Sequence, residues 1–202
     1  VTFITSPNFE APADYNADNT IEFTVIVSDG SLSNQIDYSF SVIDVNESPS
    51  ITTTEISNIG EGVSSIATIA ASDQDADSSL SYSLVDSSGA KDEDLLSIDS
   101  STGAVSFKIP PNYESPGDVG ADNKIEFSVL VSDGSLEVSQ DYSFSITDIN
   151  EAPIISSASF SIAEQSTAIG TISASDPDSS ATLSYSISGT DASKFSINSS
   201  SG

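Results

Sequence analysis

Ile125-Glu126-Phe127-Ser128-Val129-Leu130-Val131 runs into Ser132-Asp133-Gly134-Ser135-Leu136. After it, Val138, Tyr142, Phe144 and Ile146 alternate with Ser139, Asp141, Ser143 and Ser145. The odd positions of the first run are apolar, which is the period of two expected of a strand with one buried face. Asp-Gly between two such runs is a strong hairpin signal. Residues 125–146 therefore read as an antiparallel hairpin, and the rest of the chain is read outward from it.

The hairpin occurs twice. Val27-Ser28-Asp29-Gly30-Ser31-Leu32 precedes Val131-Ser132-Asp133-Gly134-Ser135-Leu136 by 104 residues. Asp44-Val45-Asn46-Glu47-Ser48-Pro49 returns at the same offset as Asp148-Ile149-Asn150-Glu151-Ala152-Pro153, and Ala17-Asp18-Asn19 returns as Ala121-Asp122-Asn123. A second set recurs at an offset of 103: Ala71-Ser72-Asp73-Gln74-Asp75 with Ala174-Ser175-Asp176-Pro177-Asp178, and Ser81-Tyr82-Ser83 with Ser184-Tyr185-Ser186. Several anchors at one offset mark a structural repeat. The chain divides into the back half of one repeat (1–49), a complete repeat (50–152) and the front half of a third (153–202). It reads as a piece of a longer protein.

The front half of the complete repeat offers shorter strand-like runs at 50–56, 64–71, 80–85, 95–98 and 103–108. With the hairpin this makes about seven strands in about 100 residues, separated by Ser, Asp, Gly and Pro. That is the pattern of an all-β, seven-stranded Greek-key β-sandwich, repeated in tandem. Tyr82 and Tyr185 read as core-edge strand residues. Pro110, Pro111 and Pro116 make 109–123 a long loop. The complete repeat carries extra residues around Ser87–Asp94, read as a surface excursion with Asp92–Asp94 in solvent.

Composition excludes whole classes of function. The chain of 202 residues has 31 Asp and Glu against 4 Lys and Arg together, a formal charge of −27, and no His, Cys, Met or Trp. No disulfide, thiol nucleophile, histidine base or zinc site of the usual kind can form. A nucleic-acid partner is excluded for want of cations to neutralise phosphates. No run is apolar enough to insert into a membrane. Carboxylates, hydroxyls and amides remain, a donor set for hard, oxygen-preferring cations.

The acids cluster at strand ends, and the clusters recur with the repeat: Glu61 and Glu164; Asp73-x-Asp75 and Asp176-x-Asp178; Glu10 and Glu114; Asp29 and Asp133; Asp44-x-x-Glu47 and Asp148-x-x-Glu151. Asn8/Asn112 and Asn46/Asn150 accompany them. Stacked sandwiches would bring Glu10, Asp44, Glu47, Asp73, Asp75 and Asp133 together at one junction. Glu61, Asn112 and Glu114 would meet 148–151 at the next. Like charges gathered this closely repel unless multivalent cations neutralise them. Ca²⁺ accepts roughly six to eight oxygens in irregular geometry and suits such a site better than Mg²⁺.

Together these motifs resemble tandem cadherin-type repeats, of the kind found in large bacterial surface proteins. The resemblance rests on Asp73-Gln74-Asp75 with Leu80-Ser81-Tyr82-Ser83, Asn112-Tyr113-Glu114, Val131-Ser132-Asp133-Gly134, Asp148-Ile149-Asn150-Glu151-Ala152-Pro153, and Phe195-Ser196-Ile197 before Gly202. It spans nearly the whole chain.

The resemblance implies cadherin/immunoglobulin-like sandwiches with several Ca²⁺ ions at each junction. The first junction would use Asn8, Glu10, Asp44, Asn46 and Glu47 with Asp73, Asp75 and Asp133. The second would use Glu61, Asn112, Glu114, Asp148, Asn150 and Glu151 with Asp176 and Asp178. Carbonyl oxygens of Val45 and Ile149 join these sets, while Asp29 and Glu164 serve junctions outside the chain. The chain departs from the family at Glu47 and Glu151, where Asp is usual, at Ser48 and Ala152, where Asn is usual, and at Asn8 and Asn112, where an acid is usual. Tyr113 is expected to pack beside and orient Glu114. Asp133 also has the plain reading of a hairpin-turn residue.

The implied function is a calcium-binding, non-enzymatic adhesion and stalk module of an extracellular or cell-surface adhesin. The alternative is a polysaccharide-binding sandwich, for which the lack of Trp offers little aromatic platform. No Ser has an accompanying base, and a catalytic carboxylate pair would not recur in every repeat. Partners are calcium and either another adhesin molecule or a surface polysaccharide. Homophilic adhesion, known in the family, does not transfer by resemblance.

Overall fold

The computed structural model describes residues 1–75, 78–85, 91–156 and 159–202. Two strands open the chain, β1 (Thr20–Ser28) and β2 (Ser33–Ser41), paired antiparallel from Thr20 with Ser41 to Ser28 with Ser33. Next come β3 (Ser50–Ile51), β4 (Ile59–Gly60), β5 (Ser65–Thr68), β6 (Ala71–Ser72), β7 (Ser81–Leu84), β8 (Leu96–Ile98) and β9 (Ala104–Phe107). The long hairpin β10 (Lys124–Ser132) and β11 (Glu137–Thr147) follows, then β12 (Ile154–Ile155) and β13 (Ala174–Ser175). Two single 3₁₀ turns, Glu93–Leu95 and Ala192–Lys194, are the helical elements among the described residues.

The sandwich forms between a four-stranded sheet ordered β4-β11-β10-β7 and a three-stranded sheet ordered β5-β9-β8. Alternation on β10 and β11 sends Ile125, Phe127, Val129 and Val131, with Tyr142, Phe144 and Ile146, to the inner face. There they meet Ile69, Leu96, Val105 and Phe107 in one core. Phe127 stacks on Tyr142 at 5.5 Å and meets Phe144 edge-on at 6.3 Å. The described elements are nearly all β, and the complete repeat is a two-sheet β-sandwich.

Of the run expected as a strand over 50–56 only Ser50 and Ile51 are strand, and a separate short strand follows beyond it. Ser50 and Ile51 pair with β6, whereas Ile59 and Gly60 pair parallel to Ile146 and Thr147 of β11. Apolar spacing along the first strand does not encode that change of partner. Asn58 aids the crossing, its Oδ1 accepting the Ser145 N–H at 3.0 Å.

The extra segment also departs from expectation. Residues 86–90 lie outside the described residues, but Asp92 is 2% exposed instead of solvated. Its two carboxylate oxygens accept the Val119 N–H at 2.7 Å and the Glu126 N–H at 2.8 Å. Lys91 Nζ lies 2.5 Å from Ser128 Oγ and 2.8 Å from Asp141 Oδ1. A buried carboxylate is tolerated when charge-assisted hydrogen bonds replace its water. Asp92 thus fastens the Pro-rich loop and the start of β10 to the Glu93–Leu95 turn. Asp94 remains exposed as expected.

Candidate metal centres

The acidic segment 44–47 leaves β2 in extended form and meets the loop after β6. Asp73 Oδ1 caps that loop by accepting the Asp75 N–H at 2.9 Å. Asp75 Oδ2 in turn accepts the Glu47 N–H at 3.0 Å. Asn46 Nδ2 reaches Asp133 Oδ2 at 2.8 Å and the Glu47 carbonyl at 3.0 Å. Asp133 Oδ1 meanwhile holds its own hairpin turn through the Ser135 and Leu136 N–H groups. Asp133 therefore orders its turn and also meets the acidic segment through Asn46. The Leu136 N–H, the Asn46 amide and the Ser135 N–H all favour its charged form and hold its carboxyl below the usual range.

Glu10, Asp44, Glu47 and Asp75 each offer one carboxylate oxygen to a group whose atoms all lie within 4.8 Å of one another. Glu47 titrates above the ordinary range, because burial disfavours its charge and because Glu10, Asp75, Asp44 and Asp73 repel it. Asp73 stands beside this group through its bond to Asp75. Asn8 Oδ1 accepts the Ala11 N–H at 3.0 Å and so shapes the turn that carries Glu10.

The segment 148–151 repeats the arrangement. Glu151 donates its N–H to Asp178 Oδ2 at 3.1 Å, Asp178 donates to Asp176 Oδ1 at 3.1 Å, and Asn150 Nδ2 reaches the Glu151 carbonyl at 2.8 Å. Glu61 adds a feature that the first segment lacks among the described residues. It is 7% exposed, and its two oxygens accept the Tyr113 and Ile149 N–H groups, each at 2.9 Å. Burial disfavours the Glu61 charge, but those N–H donors, with hydrogen bonds from the neighbouring Glu151 and Glu114 carboxyls, outweigh it and lower its pKa.

Two ion-sized groups result, Glu61 with Glu114 and Asp148, and Glu114 with Glu151 and Asp178. Glu114 belongs to both. Burial followed by like charges raises the pKa of Glu114, Asp148 and Glu151. Asn112 Oδ1 accepts the Ser115 N–H at 2.7 Å, as Asn8 does in its own loop.

Sequence reasoning assigned no role to Asn19 and Asn123. Both have positive φ, 62° and 61°, just before a long strand. Their Nδ2 atoms donate to the carbonyls of Phe9 and Tyr113, holding the residues next to Glu10 and Glu114. The recurring Ala-Asp-Asn triplet was the available signal, since Asn tolerates the left-handed region better than most residues. The Tyr113 side chain is exposed instead of packed, and it is the Tyr113 backbone that links Glu61 to Asn123.

The donor set fits Ca²⁺. Buried carboxylate oxygens without a hydrogen-bond partner include Glu47 Oε2, Asp73 Oδ2, Asp75 Oδ1, Glu114 Oε2 and Glu151 Oε2. Buried polar atoms almost always have partners, so five oxygens orphaned in two clusters call for one. The ion pairs among the described residues are Lys91–Asp141, Lys124–Glu126 and Lys194–Asp191, and none supplies a cation to these groups. All-oxygen, multiply charged sites of irregular shape suit Ca²⁺ over zinc or copper.

No family model matches the chain, and no curated protein does. Solved cadherin structures do match in fold. Human CDH23 EC21-23 superposes with a TM-score of 0.59 at 25% identity, over 95% of this chain and 65% of that one. The protocadherin gammaB7 EC3-6 cis-dimer structure gives 0.56 at 20%, over 95% and 52%. Protocadherin gamma B7 extracellular cadherin domains 1-4 gives 0.52 at 18%, over 90% and 49%. The chain thus spans 49–65% of the length of these three structures. Its fold is that of cadherin extracellular domains.

Proposed function

We propose that residues 1–49, 50–152 and 153–202 are parts of three successive cadherin-like repeats, and that Ca²⁺ at the two acidic segments couples each repeat to the next. The module then serves adhesion and reach in a large extracellular or surface protein of the bacterial adhesin kind. Its partner is another adhesin molecule or a surface polysaccharide, and the module has no enzymatic role. The observation that carries this reading is the set of orphaned, partly buried carboxylate oxygens gathered at both segments.

The first centre would draw on Glu10, Asp44, Glu47, Asp73, Asp75 and Asp133, with Asn8 and Asn46 and the Val45 carbonyl beside them. The second would draw on Glu61, Glu114, Asp148, Glu151, Asp176 and Asp178, with Asn112, Asn150 and the Ile149 carbonyl. Bound Ca²⁺ supplies the positive charge that lets these carboxylates stay ionised and close together. The residues themselves fix the geometry: Asp75 and Asp178 hold the acidic segments by their N–H groups, and Glu61 ties 113 to 149. With the charges unneutralised, the same segments repel their surroundings and bend. Binding to the assembled state alone stabilises it by mass action.

Thermal unfolding in Ca²⁺, in Mg²⁺ and in excess chelator, with small-angle scattering on the same samples, tests this. A Ca²⁺-selective rise in Tm with a change from flexible to extended shape is expected. Indifference of both quantities to Ca²⁺ overturns the reading, and polysaccharide binding by the sandwich becomes the one to measure.

A further inference from the structure

Each acidic segment meets one short loop, and the two loops reach the same shape by different means. Asp73 follows β6 and Asp176 follows β13, strands that pair with β3 and β12 in the same register. In both loops the N–H of the second Asp returns to Oδ1 of the first, at 2.9 Å for Asp75 on Asp73 and 3.1 Å for Asp178 on Asp176. In both, Oδ2 of the second Asp accepts an N–H of the acidic segment, that of Glu47 at 3.0 Å or of Glu151 at 3.1 Å. A turn then closes each loop, with the Ser78 N–H on the Asp75 carbonyl at 3.1 Å and the Ala181 N–H on the Asp178 carbonyl at 3.0 Å.

Two of the matching positions differ in a way that bears on how each loop is held. The residue between the aspartates is Gln74 in one loop and Pro177 in the other, and the turn ends on Ser78 in one and on Ala181 in the other. The Ser78 hydroxyl gives the Asp75 carbonyl a second hydrogen bond, at 2.7 Å. Ala181 has no hydroxyl to give. Pro177 instead fixes its own φ and confines Asp176 before it to extended backbone. The missing N–H costs nothing, because the Gln74 N–H at the same place has no hydrogen-bond partner among the described residues. One loop is thus held by a bond and the other by the stiffness of the chain.

The holding matters because like charge pushes these loops open. Asp75 places an oxygen within 4.8 Å of those of Glu10, Asp44 and Glu47, and Asp178 places one within 4.8 Å of those of Glu114 and Glu151. Before an ion arrives, carboxylates this close favour a loop that swings away. The apparent affinity for the ion then scales with the fraction of chains whose loop is in place. A residue that raises this fraction acts through the ligands and need not touch the ion.

We propose that Pro177 and Ser78 are the positioning residues of the two metal centres. Pro177 presets the Asp176–Asp178 loop through chain stiffness, and Ser78 holds the Asp73–Asp75 loop through its hydroxyl. The proposal rests on the Ca²⁺ reading given above. It makes the two devices interchangeable, so that Gln74→Pro should stand in for the Ser78 hydroxyl.

Calcium titration followed by amide exchange at Glu47 and Glu151, whose N–H groups report on one loop each, is the test. It is run on the wild-type chain, on Pro177→Gln, on Ser78→Ala, on Gln74→Pro and on the double variant Gln74→Pro with Ser78→Ala. Pro177→Gln should weaken Ca²⁺ binding at the second segment about two- to fivefold, as for freeing one backbone residue, and leave the first segment unchanged. Ser78→Ala should weaken the first segment about two- to tenfold, as for one lost hydrogen bond. Gln74→Pro should strengthen the first segment about two- to fivefold, and the double variant should return close to the wild type. In chelator, exchange at Glu47 and Glu151 should follow the same order, while exchange of β10 and β11 stays constant across the set.

Ca²⁺ bound with equal affinity by all five chains overturns the proposal and leaves the Ca²⁺ reading standing. Binding by none of them sinks that reading itself. A Gln74→Pro chain that binds more weakly than the wild type overturns the interchange, since the first loop would then need a backbone angle that proline does not adopt. Faster exchange of β10 and β11 alongside the affinity losses also overturns the proposal, because the substitutions would then act through the whole sandwich instead of through the loops.

Discussion

The two acidic segments have nearly the same sequence but display different parts of one design. At 44–47 the far wall is visible: Asn46 reaches Asp133 on the next hairpin, and Glu47 is held by Asp75. At 148–151 the near wall is visible: Glu61 accepts two N–H groups and sits with Glu114 and Asp148. The first segment has four carboxylates in one group, and the second has two groups sharing Glu114. The difference separates the side chains that shape a segment from those that face a shared ion.

The largest contrast should come from Glu114→Gln. It removes the carboxylate common to both groups of the second segment, so the Ca²⁺ affinity there should fall at least about tenfold, with the first segment unaffected. Calcium titration followed by amide exchange at 44–47 and 148–151 reads the two separately. Equal losses at both would break the comparison.

Glu61→Ala should act without metal. It leaves the Tyr113 and Ile149 N–H groups without an acceptor, at a cost of about 1–3 kcal/mol in the metal-free chain. Urea unfolding in chelator measures it, and Glu61→Gln, which keeps one acceptor oxygen, should lose less.

The pH dependence of the metal-free chain comes next in size. Glu47, Glu114, Asp148 and Glu151 titrate higher when folded than in an open chain, so their contribution is present at low pH and is lost as pH rises through their raised values. Asp29, Asp99, Asp133, Asp141 and Glu61 are shifted the other way, and theirs is lost as pH falls through their lowered values. In chelator, Tm should therefore rise on acidification from neutrality through the raised values and fall again below the ordinary carboxylate range. In Ca²⁺ the rise should vanish, because protons then compete with the ion. A Tm that falls monotonically on acidification in chelator would contradict the crowding of these carboxylates.

Asn46→Ala should give the smallest effect, a Tm change of about 2 °C or less. The lost bond to Asp133 is exposed.

The long hairpin was legible because period-two alternation and Asp-Gly are local signals that tertiary packing here reinforces. The recurring acids were legible for a different reason: repetition at a fixed offset separates a patterned carboxylate from a solvating one. The short strand β4 was not legible, since its partner, β11, lies almost 90 residues away. Nor was the burial of Asp92. Nothing near it in sequence distinguishes it from Asp94, and the N–H groups it accepts come from 27 and 34 residues on. Asn19 and Asn123 were visible as a repeated triplet, but their function lies in a backbone angle that spelling alone does not report.

The parallel pairing of β4 with β11 has a mechanical consequence. β4 lies near the start of the sandwich and β11 near its end, and they run in the same direction. Tension applied along the chain therefore draws them past each other, loading their contacts together instead of peeling them one at a time. Those contacts are few: the Ile59–Ile146 and Gly60–Thr147 ladder, the Glu61 N–H on the Thr147 carbonyl, the Thr147 hydroxyl on the Ile59 carbonyl, and Asn58 on Ser145. The Glu61 carboxylate extends the same seam to Ile149. The residue that borders the second acidic cluster is thus also a tooth of the clamp that resists extension, and tensile strength and electrostatics meet in one side chain.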